Sequence, residues 1–194
     1  MHEDTLYSFV FRGNLTQVAL EKDVQLSKSQ FSDRWEAETA QRLGIPLLDE
    51  DLVVKSRKMA VVYTAISSFE NSVRDFIEKK LLEEVGEDWW NKNVKAEIKT
   101  NAETRRDSEK SVRWMTPRGS SPIYYTEFGD LLSIMCGDKN WGFFEIHVKD
   151  KDWAKAIITT LEKSRNIIMH GGELAQVDIE RVGMFIRDWV SQVG

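Results

Sequence analysis

Cysteine, proline and long apolar runs are all scarce in this chain of 194 residues, and each scarcity excludes a class of protein. Cys136 is the one cysteine, which excludes a disulfide framework and a thiolate metal site. Three prolines and eleven glycines argue against long disordered stretches. No run approaches the ~18–20 apolar residues that cross a bilayer, and the first residues are acidic where a secretory signal is basic. We therefore expect a soluble cytoplasmic protein.

Charge is distributed unevenly along the chain. The formal net charge is −5, yet residues 92–118 carry eight basic side chains against four acidic ones. Such a stretch can hold a polyanion while the acidic remainder limits non-specific adhesion. The alternative is a solvated helix face with charges of both signs, which is the commoner meaning of such a run. The candidate polyanion-binding residues are Arg105, Arg106, Lys110, Arg113 and Arg118.

Apolar residues recur every three or four positions in most of the chain, which is typical of helices with one buried face. The pattern predicts helices over residues 51–84, 87–112, 125–137, 151–169 and 176–193, with a loop at 117–122. Strand-like runs at 61–64 and 143–148 lack partners and turn signals, so no sheet is predicted. The fold class is therefore all-α, a helical bundle.

The first 48 residues hold only short apolar patches, at 6–11 and 31–43, and end at Gly44-Ile45-Pro46. Glycine and proline stop helices, and Asp49 or Asp51 can cap the helix that follows. We predict a small helical N-terminal extension over 1–48 and a helical domain over 49–194.

The segment Arg165-Asn166-Ile167-Ile168-Met169-His170 is followed at once by two glycines, where a helix must end. An arginine fork can hold the non-bridging oxygens of a phosphodiester, and the imidazole can give or take a proton near neutral pH. RNA supplies its own nucleophile, the 2′-hydroxyl, so cleavage of RNA here requires no metal. The alternative is purely structural: Arg165 and Asn166 cap carbonyls, and His170 interacts with the helix dipole.

Other candidate sites are weaker. His147, Asp150 and Asp152 match no trusted metal-ligand spacing, and helix capping explains the aspartates. Tyr124 and Tyr125 either stack on bases or join helices as buried aromatics, and the second role is the commoner one. No phosphate-binding loop or dinucleotide fingerprint is present, so neither a metal nor a cofactor is predicted.

The Arg-Asn-x3-His signature near the end of an all-α chain resembles the HEPN superfamily, in particular the branch typified by a nuclear transcript-surveillance endoribonuclease. The similarity extends over residues 46–50, 69–74 and 122–132. It implies a metal-independent endoribonuclease that acts on RNA as a homodimer, with both signatures in one composite site. Arg165 and His170 would be the catalytic pair and Asn166 a positioning residue. RNA would be bound by Arg105, Arg106, Lys110, Arg113 and Arg118.

The same resemblance implies that Glu70, with Arg74, orients the signature; the alternative is an ordinary surface ion pair on one helix. Products would be a 2′,3′-cyclic phosphate and a 5′-hydroxyl, in a stress, toxin or phage-defence setting. One toxin subgroup, paired with nucleotidyltransferase antitoxins, carries a tyrosine where this chain has Gly172, which speaks against that partnership.

Two further functions fit the same residues. The first is a non-catalytic HEPN module that binds nucleotides or RNA, or that dimerises as a sensor. The second is a cleavage subunit governed by a separate regulatory or inhibitor protein, since an unregulated ribonuclease harms its host.

Overall fold

A computed structural model describes residues 32–193, which divide into two units between residues 54 and 55. The predictions for residues 1–31, including the apolar patch at 6–11, lie outside the described residues. In the first unit, helix α1 includes residues 32–42 and a 3-10 helix, η1, follows at Ile45–Leu47. Gly44 lies between them with a φ of 68°, a left-handed backbone conformation that favours glycine. The predicted helix end therefore falls at this residue.

Helix α2 is the longest, Glu50–Val85, and Asp49 caps it by accepting a hydrogen bond from the backbone nitrogen of Leu52 (3.1 Å). The predicted stripe of three-four spacing is confirmed on its buried face. The stripe residues buried in the core are Val62, Ile66, Phe69, Val73, Ile77 and Leu81. Gly86, with a φ of 85°, ends the helix.

The single helix predicted over 87–112 is wrong. The structure has two helices, α3 (Trp89–Asn93) and α4 (Ala96–Ser111), separated by extended backbone at Val94. Val94 is buried in the core, and Asn93 exchanges hydrogen bonds with Asn140: Nδ2 of Asn93 donates to Oδ1 of Asn140 (2.7 Å), and Nδ2 of Asn140 donates to the Asn93 carbonyl (3.1 Å). Tertiary contacts therefore break a segment whose local pattern favours one helix.

The remaining elements are a second 3-10 helix, η2 (Pro122–Tyr125), and four helices: α5 (Phe128–Met135), α6 (Trp141–Val148), α7 (Lys151–Met169) and α8 (Gln176–Val193). The predictions of α7 and α8 are confirmed almost to the residue. Helix α6 was not predicted, because its short apolar run was strand-like. No strand occurs within residues 32–193, and the all-α fold class is confirmed.

The core lies where α2, α5, α7 and α8 meet. The ring of Phe69 on α2 packs against Phe128 of α5 (centroids 6.0 Å apart) and edge-on against Trp189 of α8 (5.5 Å). Trp153 of α7 stacks on Trp189 with an interplanar angle of 3°. These contacts fix the rotation of α2 relative to α7, the two helices that carry the candidate site. Across residues 32–193, no helix combines enough length and apolarity to cross a membrane.

Adjacent leucines on α2 provide a matched test of this core. Leu81 is 0% exposed and Leu82 is 47% exposed. Leu81→Ala removes buried methyl groups and should lower the free energy of unfolding by about 2–5 kcal/mol. Leu82→Ala should lower it by less than about 1 kcal/mol. Urea unfolding followed by circular dichroism measures both, and similar losses for the two variants would contradict this packing.

Candidate active site

The start of α7 sets the direction of its functional side chains. Asp150 caps the helix, as the sequence predicted, by accepting from the backbone nitrogen of Trp153 (2.9 Å). Ile157 and Leu161 are fully buried. Arg165 lies one turn after Leu161 and therefore on the same face of α7, so its side chain extends toward α2. The Arg165 side chain is 23% exposed.

The end of α7 is a Schellman motif. His170 is the C-cap, and Gly171 adopts a left-handed φ of 76°. The nitrogen of Gly171 donates to the Ile168 carbonyl (3.0 Å), and that of Gly172 donates to the Ile167 carbonyl (2.9 Å), the two bonds that define the motif. The helix therefore ends as predicted, and His170 is exposed at its last turn.

Gly172 packs closely against the last turn of α7. A Cβ atom at this position would lie 2.7 Å from Cγ2 of Ile167 and 2.9 Å from its carbonyl oxygen. Because the contact with the backbone oxygen cannot be relieved by a rotamer change, a larger residue here would force the helix end to be rebuilt. The tyrosine of the toxin subgroup is therefore incompatible with this helix end.

Arg165 is held by Glu70 of α2. Its Nη1 donates to both carboxylate oxygens of Glu70, at 3.0 and 2.8 Å, and its Nη2 donates to Oδ1 of the neighbouring Asn166 at 3.3 Å. Charge-assisted bonds of this kind fix a guanidinium in one orientation. The Asn166 side chain and the imidazole of His170 remain exposed beside it.

Arg74 brings a second cation to the same carboxylate. Its Nη2 contacts Oε1 of Glu70 and donates to the backbone carbonyl of Thr126 (3.2 Å), while its Nη1 donates to Oδ1 of Asn71 (3.1 Å). Glu70 is only 5% exposed and Arg74 only 8%. The alternative of an ordinary surface ion pair is therefore wrong: this is a buried network that joins α2, α7 and the segment after η2.

These residues line one cleft of about 800 Å³. Its lining includes four arginines and His170 against two glutamates, so basic side chains outnumber acidic ones in the cleft although the whole chain is acidic. The residues that line it are Tyr63, Ser67, Glu70, Asn71, Arg74, Arg105, Arg118, Tyr124, Thr126, Glu127, Arg165, Asn166, Met169 and His170.

The five basic candidates of the 92–118 stretch separate in space. Arg105 and Arg118 line the cleft, Arg106 lines a different pocket, and Lys110 and Arg113 are exposed and line neither. Arg105 donates to the Tyr125 carbonyl (2.9 Å) and pairs with Glu127 (2.6 Å).

Arg118 pairs with Glu109 through both its side chain and its backbone nitrogen. Arg105 and Arg118 therefore also hold residues 112–127 against α4.

The two neighbouring tyrosines of η2 have different surroundings. Tyr125 is buried, and its hydroxyl donates to the Gly119 carbonyl (3.3 Å), as predicted for an aromatic that joins elements. Tyr124 is half-buried at the cleft. Desolvation by burial, followed by the Asp75 carboxylate, raises the pKa of Tyr124, so its hydroxyl remains a hydrogen-bond donor at neutral pH.

The structure gives two of the three residues His147, Asp150 and Asp152 roles other than metal binding. Asp150 is the α7 cap described above, and the ring of His147 packs edge-on against Phe76 (5.6 Å between centroids). Within residues 32–193 no group of three or more His, Cys, Asp or Glu side chains has a geometry suited to a metal ion.

Several residues of the cleft were not predicted from the sequence. Tyr63, Ser67 and Asn71 share one face of α2 with Glu70 and Arg74, at spacings of three and four. A stripe of polar residues beside the apolar stripe of α2 is the sequence feature from which these three residues could have been predicted. Thr126 and Glu127 follow η2 and carry no comparable periodic signal.

Comparison with known proteins rests on one match. No curated protein and no solved structure matches the chain. The family model described as Swt1-like HEPN matches residues 64–194, well over half of the chain. That range includes Glu70, Arg74 and the whole Arg165–His170 signature, and the HEPN resemblance is confirmed at the level of the superfamily. The chain therefore belongs to the Swt1-like HEPN family.

Proposed function

We propose that the protein is a metal-independent endoribonuclease whose active site is the basic cleft. One observation carries the proposal: an exposed imidazole, an exposed amide and a guanidinium of fixed orientation occur together in a cleft large enough for a nucleotide. Arg165 would stabilise the charge that develops on the non-bridging phosphate oxygens. His170 would transfer protons, and Asn166 would position the phosphate.

The reaction uses the 2′-hydroxyl of RNA as its nucleophile. One imidazole removes the hydroxyl proton, the 2′-oxygen attacks phosphorus, and the bond to the 5′-oxygen breaks. A second imidazole, already protonated, donates its proton to the departing 5′-oxygen. The products are a 2′,3′-cyclic phosphate and a 5′-hydroxyl, and no oxidant, metal or cofactor enters the balance.

A second copy of the chain would supply the second imidazole. His170 is the one histidine among the described residues that line the cleft, so a single protomer provides either the base or the acid. Apolar side chains suited to a contact between copies lie at the same place: Met169 is 62% exposed, and Tyr63 is also exposed. A symmetric homodimer would bury these side chains and place both signatures in one composite site.

A non-catalytic module remains the second candidate, and one observation favours it. Nη1 of Arg165 is committed to Glu70, which partly neutralises the cation that the reaction needs. In that case the cleft would bind a nucleotide or RNA without cleaving it. The relation to the nuclear transcript-surveillance branch, the stress or defence setting and control by an inhibitor protein belong to the proposal as well.

Removal of the imidazole tests catalysis directly. His170→Ala should lower the rate of RNA cleavage by about 10²–10⁴-fold, because proton transfer contributes about that much. Cleavage is measured with purified protein in excess chelator, and the 2′,3′-cyclic end is identified by mass spectrometry. Lys163→Ala, at an exposed α7 position outside the cleft, should keep the parent rate. Undiminished cleavage by His170→Ala, or cleavage of DNA of the same sequence, would remove the proposal.

Replacement of Glu70 tests its positioning role. Glu70→Gln leaves the guanidinium groups of Arg74 and Arg165 without their counter-charge, and should lower the free energy of unfolding by about 3–5 kcal/mol. Glu83→Gln, at an exposed position on the same helix, should change it by less than about 0.5 kcal/mol. Urea unfolding measures both.

Glu70→Gln should also lower the kcat of RNA cleavage, because Arg165 loses the carboxylate that fixes its orientation. Glu70→Asp retains the charge and should restore much of that kcat, which a purely structural role would not require. Equal kcat for Glu70→Gln and Glu70→Asp would contradict positioning by charge.

A mixing experiment tests the composite site. When wild-type protein is mixed with an excess of His170→Ala protein, heterodimers contain one imidazole each. Cleavage activity per wild-type protomer should fall toward zero as the excess grows, with wild-type protein at the same total concentration as the control. Activity that stays constant per wild-type protomer would show that one protomer suffices.

A further inference from the structure

We propose that a small pocket beside the active cleft binds a guanine base of RNA, an inference that rests on the proposed function because it takes RNA as the ligand. The pocket has a volume of about 210 Å³ and lies among α3, α4 and η2. That volume equals about seven water molecules at ~30 Å³ each, which suits a single base rather than a length of chain.

The walls of the pocket suit a planar ring. Ala102 and Tyr125 are buried and line the pocket together with Trp90. The indole of Trp90 is braced edge-on by the neighbouring Trp89, with centroids 5.4 Å apart and an interplanar angle of 88°. An indole held in this way is a stacking platform, and stacking on an aromatic ring is the main source of affinity for an unpaired base.

Two charged side chains of the pocket, Glu103 and Arg106, form no ion pair among the described residues. Glu103 and Arg106 are three residues apart on α4, a spacing that permits an ion pair. Within the part of the chain that the structure describes, the ion pairs of α4 are made instead by Arg105, Asp107, Glu109 and Lys110.

Nε of Arg106 is buried and has no hydrogen-bond partner among residues 32–193. Because that atom is buried, a base in the pocket would be bound by the terminal nitrogens of the guanidinium, which form no ion pair among the described residues.

Guanine carries the complementary pattern. Its N1–H and N2–H are adjacent donors for the Glu103 carboxylate, and its O6 and N7 are acceptors for the Arg106 guanidinium, as in arginine–guanine pairs generally. Uracil has a single N–H donor, while adenine and cytosine donate only through one amino group. Guanine is thus the base that uses both charged side chains most fully.

The position of the pocket links it to the cleft. Arg105 and Tyr124 line the active cleft, whereas the next residues in sequence, Arg106 and Tyr125, line this pocket. A helix is about 10 Å across, so an RNA strand that leaves the cleft over η2 would cross about that distance to reach the pocket. The base in the pocket would be a near neighbour of the scissile phosphate, and would set the sequence preference of cleavage.

Calorimetric titration with guanosine monophosphate tests the pocket without any cleavage. The wild-type protein should bind this nucleotide about ten-fold more tightly than the adenosine, cytidine or uridine monophosphates, the order expected of one base contact. Glu103→Gln and Arg106→Gln should each remove that preference.

Two variants provide matched controls. Glu97→Gln, on the same helix, and Lys155→Gln, on α7, make the same charge changes at exposed positions outside the pocket and should retain the preference. Equal affinity for all four nucleotides, or equal losses in the controls, would overturn the inference.

Cleavage of paired RNAs separates this inference from the proposed function. Two oligonucleotides that differ only by guanine or adenine beside the cleavage position should be cut at rates that differ about ten-fold, and Glu103→Gln should bring that ratio near one. Cleavage without base preference, together with no preference for guanosine monophosphate, would refute the pocket and leave the ribonuclease intact. Binding of guanosine monophosphate through Glu103 and Arg106, without cleavage of any RNA, would refute the ribonuclease and leave the pocket intact.

Discussion

A buried carboxylate between two guanidinium groups is the contact on which the candidate site depends. Glu70 is desolvated and would be costly alone, but Arg74 and Arg165 neutralise it and satisfy both of its oxygens. Because Arg165 belongs to α7 and Arg74 also binds the Thr126 carbonyl, this one side chain joins three separate parts of the chain. The network therefore holds the cleft together, and it also directs the one guanidinium that the proposed chemistry needs.

The two ends of α7 explain how one helix can belong both to the core and to the candidate site. Its first half is fixed by the Asp150 cap and by buried residues such as Leu161. Its last turn ends in a Schellman motif at Gly171, which leaves His170 exposed. Rigidity at one end positions a side chain at the other, while the imidazole of His170 is exposed to solvent, as the proposed proton transfer requires.

The sequence was sufficient wherever periodicity alone decides structure, and insufficient wherever tertiary contacts do. The stripe on α2, the helix α7 and its end before Gly171 followed from spacing and stop signals. The break at Val94 did not, because a buried valine and an asparagine pair across the fold cause it. The burial of Glu70 could not be predicted from the sequence either. A Glu–Arg pair four residues apart has the pattern of a solvated helix face, and only the contact with Arg165 of α7 shows otherwise.

The net charge of the whole chain and the charges that line the cleft differ in sign, and both limit how the cleft can act. The chain as a whole carries −5, whereas the cleft gathers four arginines against two glutamates. Beyond about 10 Å at 0.1 M salt the individual charges are screened, so the cleft attracts a phosphate at short range while the acidic remainder opposes loose adhesion of a long polyanion. In the proposed ribonuclease, an RNA strand would therefore be held where several phosphate or base contacts form together, and a contact near the cleft would decide which strand stays long enough to react. Selectivity would then have to come from adjoining subsites, because the Arg165–His170 pair would recognise only what all RNA strands share.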